Sequence, residues 1–185
     1  MKILVASDIH GSSYFTKKLV KIIKKENFDK IILLGDIYYH GPRNKFPKGY
    51  NPMKVAELLN QFSSKIRCVK GNCDSEVDQM ISKFEFEFSI EMTFAHKKFL
   101  FTHGHRLNME ALPKGYSFIF GGHTHVSGIQ KIGTTFYVNP GSLSLPKSNT
   151  KNSYVVLDET SVSLFELNGN LIDRKNFATK ETITK

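Results

Sequence analysis

Five short apolar runs in this chain each end in polar residues next to a glycine. The runs are residues 2–7, 30–34, 65–69, 97–102 and 117–120. Short apolar runs without alternation, rich in β-branched residues, are typical of buried parallel strands. In an open α/β sheet, ligands bind outside the carboxyl ends of such strands. The sequence therefore predicts a fold in which polar side chains from distant parts of the chain gather where these strands end.

The fifth run is followed by two glycines and two histidines, His123 and His125. Residues two apart in an extended chain point the same way, so both imidazoles can face one point. Gly121 and Gly122 allow the backbone to turn sharply and to approach a ligand closely. Imidazole is the commonest metal-binding side chain, but this pair alone fits a surface turn equally well. The metal hypothesis therefore depends on the other strand ends.

Potential metal ligands follow the other four runs as well. Asp8 and His10 are again two residues apart, and Asp36 follows a glycine at the end of the second run. The complete set of strand-end candidates is Asp8, His10, Asp36, Asn72, His103, His123 and His125. Two carboxylates, one amide and four imidazoles exceed the need of one ion. They suit two first-row divalent cations that share a bridging carboxylate.

The remaining elements are predicted from caps and periodicity. Ser12 or Ser13 is expected to cap a first helix, and residues 52–62 read as a second helix with proline in its first turn. Ser75 could cap a short helix that runs through Ile81. Further strands are expected at residues 84–88, 128–132, 134–138, 153–157, 161–167 and 171–177. We expect one domain, residues 1–177, followed by a frayed polar tail, residues 178–185.

Taken in order, the strand-end motifs resemble those of the calcineurin-like metallophosphoesterases. The motifs are Asp8-x-His10, Gly35-Asp36, Gly71-Asn72-x-Asp74, His103-Gly104-His105 and Gly122-His123-x-His125. The resemblance covers residues 1–158. Residues 35–44 and 71–80 resemble more narrowly the small bacterial phosphodiesterases of the YfcE type.

This resemblance implies an α/β fold, the four-layer α/β/β/α metallophosphoesterase sandwich with mixed sheets, and a dinuclear metal site at the strand ends. It implies a phosphoric diester hydrolase that uses two divalent metal ions, commonly Mn²⁺, with Zn²⁺, Fe²⁺, Ni²⁺ or Co²⁺ as alternatives. The implied substrate is a small phosphodiester, and a homodimer is a further expectation. The alternatives are a nucleotide phosphatase or nuclease of the same superfamily, and a non-catalytic protein-binding scaffold of the same fold.

The resemblance also assigns roles to individual residues. Asp8, His10, Asp36 and His125 would hold the first metal. Asp36, Asn72, His103 and His123 would hold the second, so that Asp36 bridges the two. Asn72, Cys73 and Asp74 are the candidate catalytic residues.

Cys73 departs from the wider superfamily, in which a histidine at this position donates a proton to the leaving group. The YfcE-type subgroup shares the cysteine. A thiol can act as a weak acid near neutral pH, or Cys73 could only fill space, and the sequence leaves both readings open. The loop 38–50, which carries His40 and Arg43, is open between substrate contact and plain surface. His105 has no assigned ligand role, and we expect it to support the ligands from outside or to lie on the surface.

Charge and composition limit the classes of binding partner and the cellular location that we expect. The formal net charge is +9, but the cations are mainly lysines spread along the chain. A nucleic-acid binder usually relies on clustered arginines, so nucleic acid is a disfavoured partner. No apolar run approaches the roughly 20 residues of a membrane span. With only two cysteines, a disulfide framework is not expected, and we predict a cytoplasmic protein.

Overall fold

The computed structural model describes residues 1–177, which form three helices and twelve strands. The helices are α1 (Ser13–Glu26), α2 (Pro52–Asn60) and α3 (Glu76–Ile81). The strands are β1 (Ile3–Ala6), β2 (Lys30–Leu33), β3 (Ile66–Val69), β4 (Phe86–Glu87), β5 (Ile90–Phe94), β6 (Lys97–Phe101), β7 (Phe118–Phe120), β8 (Gly128–Ile132), β9 (Thr135–Asn139), β10 (Ser153–Leu157), β11 (Ser161–Glu166) and β12 (Leu171–Asn176). No helix in residues 1–177 is both long and apolar enough to cross a membrane.

The strands form two mixed sheets. The first has seven strands in the order β12-β11-β10-β1-β2-β3-β4, and the second has five in the order β5-β6-β7-β9-β8. β1, β2, β3 and β4 run parallel, whereas β1 pairs antiparallel with β10. In the second sheet, β6, β7 and β9 run parallel. The carboxyl ends of the parallel strands of each sheet carry the predicted ligands.

Alternating side chains of the central strands fill two separate cores. In β1, Ile3 and Val5 pack between the two sheets, whereas Leu4 and Ala6 face the helices. The core between the sheets is rich in stacked phenylalanines, of which Phe101 and Phe120 have ring centroids 4.7 Å apart. Since successive side chains of a strand point to opposite faces, an uninterrupted apolar run buries both faces of the sheet.

The helical layer lies on one outer face of the sandwich. α1 begins after Ser12, whose side chain accepts a hydrogen bond from the Phe15 amide, and ends at Asn27 in the left-handed conformation. α1 packs against α2 beside the first sheet. The outer face of the second sheet, around Ile119, is covered by side chains of the segment 102–117, such as Leu112. Within residues 1–177 this segment contains no helix.

The predicted fold class is confirmed, since two mixed sheets pack face to face with helices outside the first, but in residues 1–177 the layer outside the second sheet is the non-helical segment 102–117. The strand predicted at residues 84–88 was wrong, because only Phe86–Glu87 is a strand. Phe84 is buried in the helical core and Phe88 is exposed, so this segment leaves the first sheet for the second. The strand Ile90–Phe94 was not predicted. The predicted tail, residues 178–185, lies outside the described residues.

The two sheets approach each other closely at Gly122. A Cβ atom on Gly122 would overlap the Ser7 hydroxyl and lie 2.5 Å from Asp8 Oδ2, and both neighbours are fully buried. We expect Gly122→Ala to lower the free energy of unfolding by about 1–3 kcal/mol, because crowding a packed interior forces its neighbours to move. Chemical denaturation measures this change.

Gly128→Ala is the matched control, because a Cβ at Gly128 meets no atom within 4 Å. It should leave the unfolding midpoint close to that of the unchanged protein. Equal stability of the two variants would show that the sheets do not touch closely at Gly122.

Candidate metal centre

Five of the predicted ligands have a left-handed backbone. Non-glycine residues rarely adopt it, at a cost of about 1–3 kcal/mol each. Backbone hydrogen bonds between neighbouring strand ends support it, such as the 2.9 Å bond from the His10 amide to the Asp36 carbonyl. The left-handed backbone turns the chain at the end of each strand, so that the ligand side chains point to one place. The five residues are Asp8, His10, Asp36, His123 and His125, with φ values of 55°, 48°, 56°, 64° and 62°.

The first group of ligands consists of His10, His125 and Asp8. Each imidazole has its Nδ1 atom 2.7 Å from a backbone carbonyl, that of Tyr39 for His10 and that of Leu145 for His125. A carbonyl accepts a hydrogen bond, so Nδ1 carries the proton and the neutral ring presents a lone pair at Nε2. The two Nε2 atoms lie only 3.1 Å apart. Two lone pairs at this distance require a positive charge between them.

Asp8 supplies a further acceptor to the same point. Its Oδ2 atom accepts hydrogen bonds from the Ser7 hydroxyl and the His123 amide, but its buried Oδ1 atom has no hydrogen-bond partner in the described part of the chain. Oδ1 lies 3.2 Å from His125 Nε2 and 3.6 Å from His10 Nε2. A buried, unsatisfied acceptor is costly. A cation coordinated by these three atoms removes that cost.

The pKa of Asp8 agrees with a cation site. Burial raises the pKa of this carboxyl, but the adjacent imidazoles of His10 and His125 outweigh burial and hold the pKa well below its usual range. The carboxylate is therefore ionised at neutral pH and available as a ligand.

Asp36 lies between the first group and a second one. Its Oδ2 atom is 3.7 Å from His10 Nε2 and 3.5 Å from His103 Nε2. Its Oδ1 atom accepts a hydrogen bond from the Cys73 amide at 2.8 Å, which fixes the carboxylate plane. Burial raises the pKa of Asp36, but the His103 imidazole lowers it by more. An ionised carboxylate oxygen between two groups of imidazoles has the position of a bridging ligand.

His103 and Asn72 form the second group. His103 Nδ1 lies 2.6 Å from the Leu34 carbonyl, so its Nε2 lone pair faces the Asn72 Oδ1 atom at 3.0 Å. Burial lowers the pKa of His103, but the carboxylates of Asp36 and Asp8 raise it to about 9. In the absence of a cation, a proton therefore occupies this position, and metal binding must release it. The His123 ring lies 5.3 Å from that of His103, between ring centroids.

Cys73 borders the centre, with its Sγ atom within 4.8 Å of ligand atoms of His10 and Asp36. Its Sγ atom accepts a hydrogen bond from the Asn72 side chain at 3.3 Å. Burial, followed by the negative charge of Asp36, raises the pKa of the thiol to about 12. The thiol is therefore protonated at neutral pH unless a bound cation lowers its pKa.

The Asp74 carboxylate binds backbone amides at two of the strand ends that carry the ligands. Its Oδ2 atom accepts hydrogen bonds from the amides of Asp36 and Gly71, and its Oδ1 atom accepts one from Ile37, all at 2.7–2.8 Å. Burial raises the pKa of this carboxyl to about 6. Asp74 thus ties the end of β2 to the end of β3 and positions Asp36, and it does not point at the centre.

Sequence reasoning missed two further supports. The Ser142 hydroxyl donates to the Asp8 carbonyl at 2.6 Å, and the Asn139 side chain donates to the Gly122 carbonyl at 2.9 Å. Both residues belong to the sequence Asn139-Pro140-Gly141-Ser142, which begins at the last residue of β9 and whose composition is typical of a turn. The sequence of these four residues does not predict that their side chains would form hydrogen bonds to the two ligand-bearing segments.

The centre opens into a cavity of about 720 Å³. Its lining includes part of the loop 38–50, with Arg43, and also Lys147, which sequence reasoning missed. His40 does not line this cavity, because its ring packs 4.4 Å from that of Phe46 and 4.7 Å from that of Tyr39, between centroids. The site is therefore an open cleft with cations at its rim.

The chain is similar to known proteins in sequence and in fold. Residues 1–161 match the calcineurin-like phosphoesterase superfamily domain. Phosphodiesterase YfcE of Escherichia coli strain K12 is 42% identical over 171 residues, which cover 91% of this chain and 93% of that protein. The probable metallophosphoesterase YsnB of Bacillus subtilis is 27% identical over 186 residues, with 94% and 95% covered.

Solved structures agree with the sequence relatives. The structure of the phosphoesterase Yfce from E. coli superposes with a TM-score of 0.91 at 37% identity and covers 95% of this chain and 98% of that one. Vps29 of Entamoeba histolytica, solved with Zn²⁺, has a TM-score of 0.64 at 15% identity over 96% of this chain and 100% of that one, a likeness that shows the fold alone. By its matched domain and its sequence relatives, the chain belongs to the calcineurin-like phosphoesterase superfamily.

Proposed function

We propose that this protein is a divalent-metal-dependent phosphodiesterase with two metal ions at the strand ends. The observation that carries the proposal is the set of facing acceptors, above all the two Nε2 atoms of His10 and His125 at 3.1 Å. The kinship to phosphodiesterase YfcE supports the reaction class. The cavity above the centre is large enough for a small diester, since ligand cavities commonly have volumes of about 300–1,000 Å³.

The ligands divide as the family resemblance implies, and donor-atom distances support the division for every ligand except His123, whose ring lies 5.3 Å from that of His103 between centroids. Asp8, His10 and His125 would hold one ion, His103, His123 and Asn72 the other, and Asp36 would contact both. When bound, such a pair of ions activates a water molecule and neutralises the charge on the phosphate oxygens. Imidazole and carboxylate donors suit Mn²⁺ better than the hard Mg²⁺ ion, so Mn²⁺ is our proposed metal.

The chain's own residues would bind and orient the diester. Arg43 and Lys147 at the cleft rim can donate to the phosphate oxygens and to the ester arms. The Asn72 amide group can donate to a phosphate oxygen while its carbonyl oxygen faces the centre. Asp74 acts by position, because it fixes the backbone on which Asp36 lies.

The two alternatives find less support. A scaffold that works through protein contacts does not need converging ligands, yet here six of the seven proposed ligands, all except His123, have a ligand atom 3.0–3.7 Å from that of another. A nuclease or nucleotide phosphatase of the same superfamily would use the same centre, so only substrates separate it from our proposal. The cytoplasm remains our proposed location, supported by two free thiols, Cys68 and Cys73.

Metal removal tests the proposal directly. Chelation should abolish hydrolysis of bis-p-nitrophenyl phosphate, and Mn²⁺ should restore it at least as well as Mg²⁺, because imidazole-rich sites disfavour Mg²⁺. The diester should be hydrolysed faster than p-nitrophenyl phosphate. Full turnover by metal-free protein would refute the mechanism, and a consistent monoester preference would favour the phosphatase alternative.

Asp36→Asn should be the most damaging single change of a ligand. The amide keeps the shape of the side chain but carries no charge to hold two cations together. We expect a fall in turnover of at least about 10²-fold, together with loss of bound metal. Elemental analysis and kinetics on the same sample measure both.

Asp173→Asn, on the exposed strand β12, removes the same charge far from the centre and should change neither quantity. If Asp36→Asn retains two metal ions and near-normal rates, Asp36 does not bridge.

The role of Cys73 is tested by the leaving group. Without metal, a thiol with a pKa of about 12 is a poor proton donor, and bound cations would lower that pKa towards a thiolate, which cannot donate, so we propose that Cys73 only fills space. Cys73→Ala should then slow alkyl and nitrophenyl diesters alike or not at all, because only an alkoxide needs a proton to depart.

Cys73→His should raise alkyl diester hydrolysis selectively by supplying an acid with a pKa near neutrality. A selective loss on alkyl diesters in Cys73→Ala, with nitrophenyl turnover intact, would identify Cys73 as the acid instead.

A further inference from the structure

A second cavity, of about 480 Å³, lies beside the metal centre. Its lining includes Lys70, Asn72, Phe88, His105 and Arg106. Asn72 also lines the 720 Å³ cavity, so the two cavities meet at this proposed metal ligand. Nothing in the proposed reaction so far uses the residues of the second cavity other than Asn72 and Asp74.

The second cavity lies next to the second group of ligands, and His105 is the lining residue near them. The His105 ring lies 5.3 Å from the His103 ring and 6.0 Å from the His123 ring, between centroids. His105 thus connects the two imidazoles to the cavity wall, which gives this residue a place that the sequence left open. The second cavity therefore borders the second group of ligands.

The charges in the second cavity favour an anion. Lys70 and Arg106 contribute two cations, and neither forms an ion pair with a carboxylate within residues 1–177. The one carboxylate in the lining, Asp74, is buried and turns both oxygens to backbone amides. A guanidinium and an ammonium that line the same cavity are well suited to phosphate, because the guanidinium donors can contact two of its oxygens.

An exposed aromatic side chain forms another wall. Phe88 lies between strands β4 and β5 and is 84% exposed. The two phenylalanines before it, Phe84 and Phe86, pack inward. A single exposed apolar residue is ordinary on a protein surface. At the wall of a cavity with two free cations, however, it can cover the carbon chain or ring that carries an anion.

We propose that the second cavity is a substrate subsite for an arm of the phosphodiester that carries a second phosphate group, with Lys70 and Arg106 as ligands and Phe88 as an apolar wall. The inference rests on the proposed phosphodiesterase function. A diester has two arms on one phosphorus atom, and the two cavities that meet at Asn72 provide one space for each arm. The subsite selects diesters with a remote phosphate over neutral ones.

Equilibrium binding tests the subsite without turnover. Calorimetry on the Mn²⁺-loaded protein compares propyl phosphate with propanediol and hexanediol bisphosphates, which carry a phosphate at each end of a shorter or a longer carbon chain. At least one bisphosphate should bind more tightly than propyl phosphate by roughly tenfold, the size of one charge-assisted hydrogen bond. Arg106→Ala and Lys70→Ala should each remove most of this preference, and Arg106→Lys should retain part of it.

Lys114→Ala is the matched control. Lys114 is exposed in the same segment as Arg106 and outside the cavity, so its removal lowers the net charge equally and should leave the preference unchanged. Thermal unfolding shows whether each variant is folded. A second readout is the ratio of kcat/KM for nitrophenyl diesters whose other arm is either phosphate-bearing or neutral, which should fall roughly tenfold in Arg106→Ala.

The outcomes separate the two proposals. Equal binding of all the probes, or a preference that persists in both Arg106→Ala and Lys70→Ala, would overturn the subsite. An equal loss in Lys114→Ala would also overturn it, because general attraction would then explain the effect. A preference that depends on Arg106, in a protein that hydrolyses no diester, would support the subsite and refute the phosphodiesterase function.

Discussion

The site depends on lone pairs that face each other in a buried place. The Nε2 atoms of His10 and His125 are 3.1 Å apart, and the His103 lone pair faces the Asn72 carbonyl oxygen at 3.0 Å. The rings cannot turn away, because each Nδ1 proton is held by a backbone carbonyl. The protein must therefore admit positive charge at these points, as protons when metal is absent and as cations when it is present.

The fold supplies the means to hold such a repulsive arrangement. Parallel strands from both sheets end at one place, and the backbone turns there into the left-handed region at five of the seven ligands. This strain persists because the buried phenylalanines between the sheets and the Asp74 hydrogen bonds over-determine the positions of the strand ends. The stability of the core thus supports a centre that is itself locally unfavourable.

Most of the buried strands and the candidate metal ligands could be predicted from the sequence. Apolar runs without alternation gave the buried strands, and the residues after them gave the ligands, because both signals are local. The path of residues 84–94 was not predicted correctly, since the alternation of phenylalanine with polar residues also fits a segment that crosses between sheets. Lys147, Ser142 and the carbonyl partners of the histidines could not be found, because their roles arise only when distant segments meet. The position of Asp74 in its motif suggested a catalytic role. Its hydrogen bonds to the amides of distant residues, which position Asp36, could not be found from the sequence either.

The pairing of β1 with β10 has a consequence for how the protein is made. Ile3 lies opposite Leu157 in this antiparallel pair, and the Ser142 hydroxyl supports the Asp8 carbonyl across 134 positions of sequence. A ribosome synthesises chains at about 5–20 residues per second, so Asp8 and His10 leave it many seconds before the segments that fix them. The nascent chain cannot present a finished centre to metal ions. A divalent metal ion can therefore meet the complete centre only after translation has produced nearly the whole sandwich.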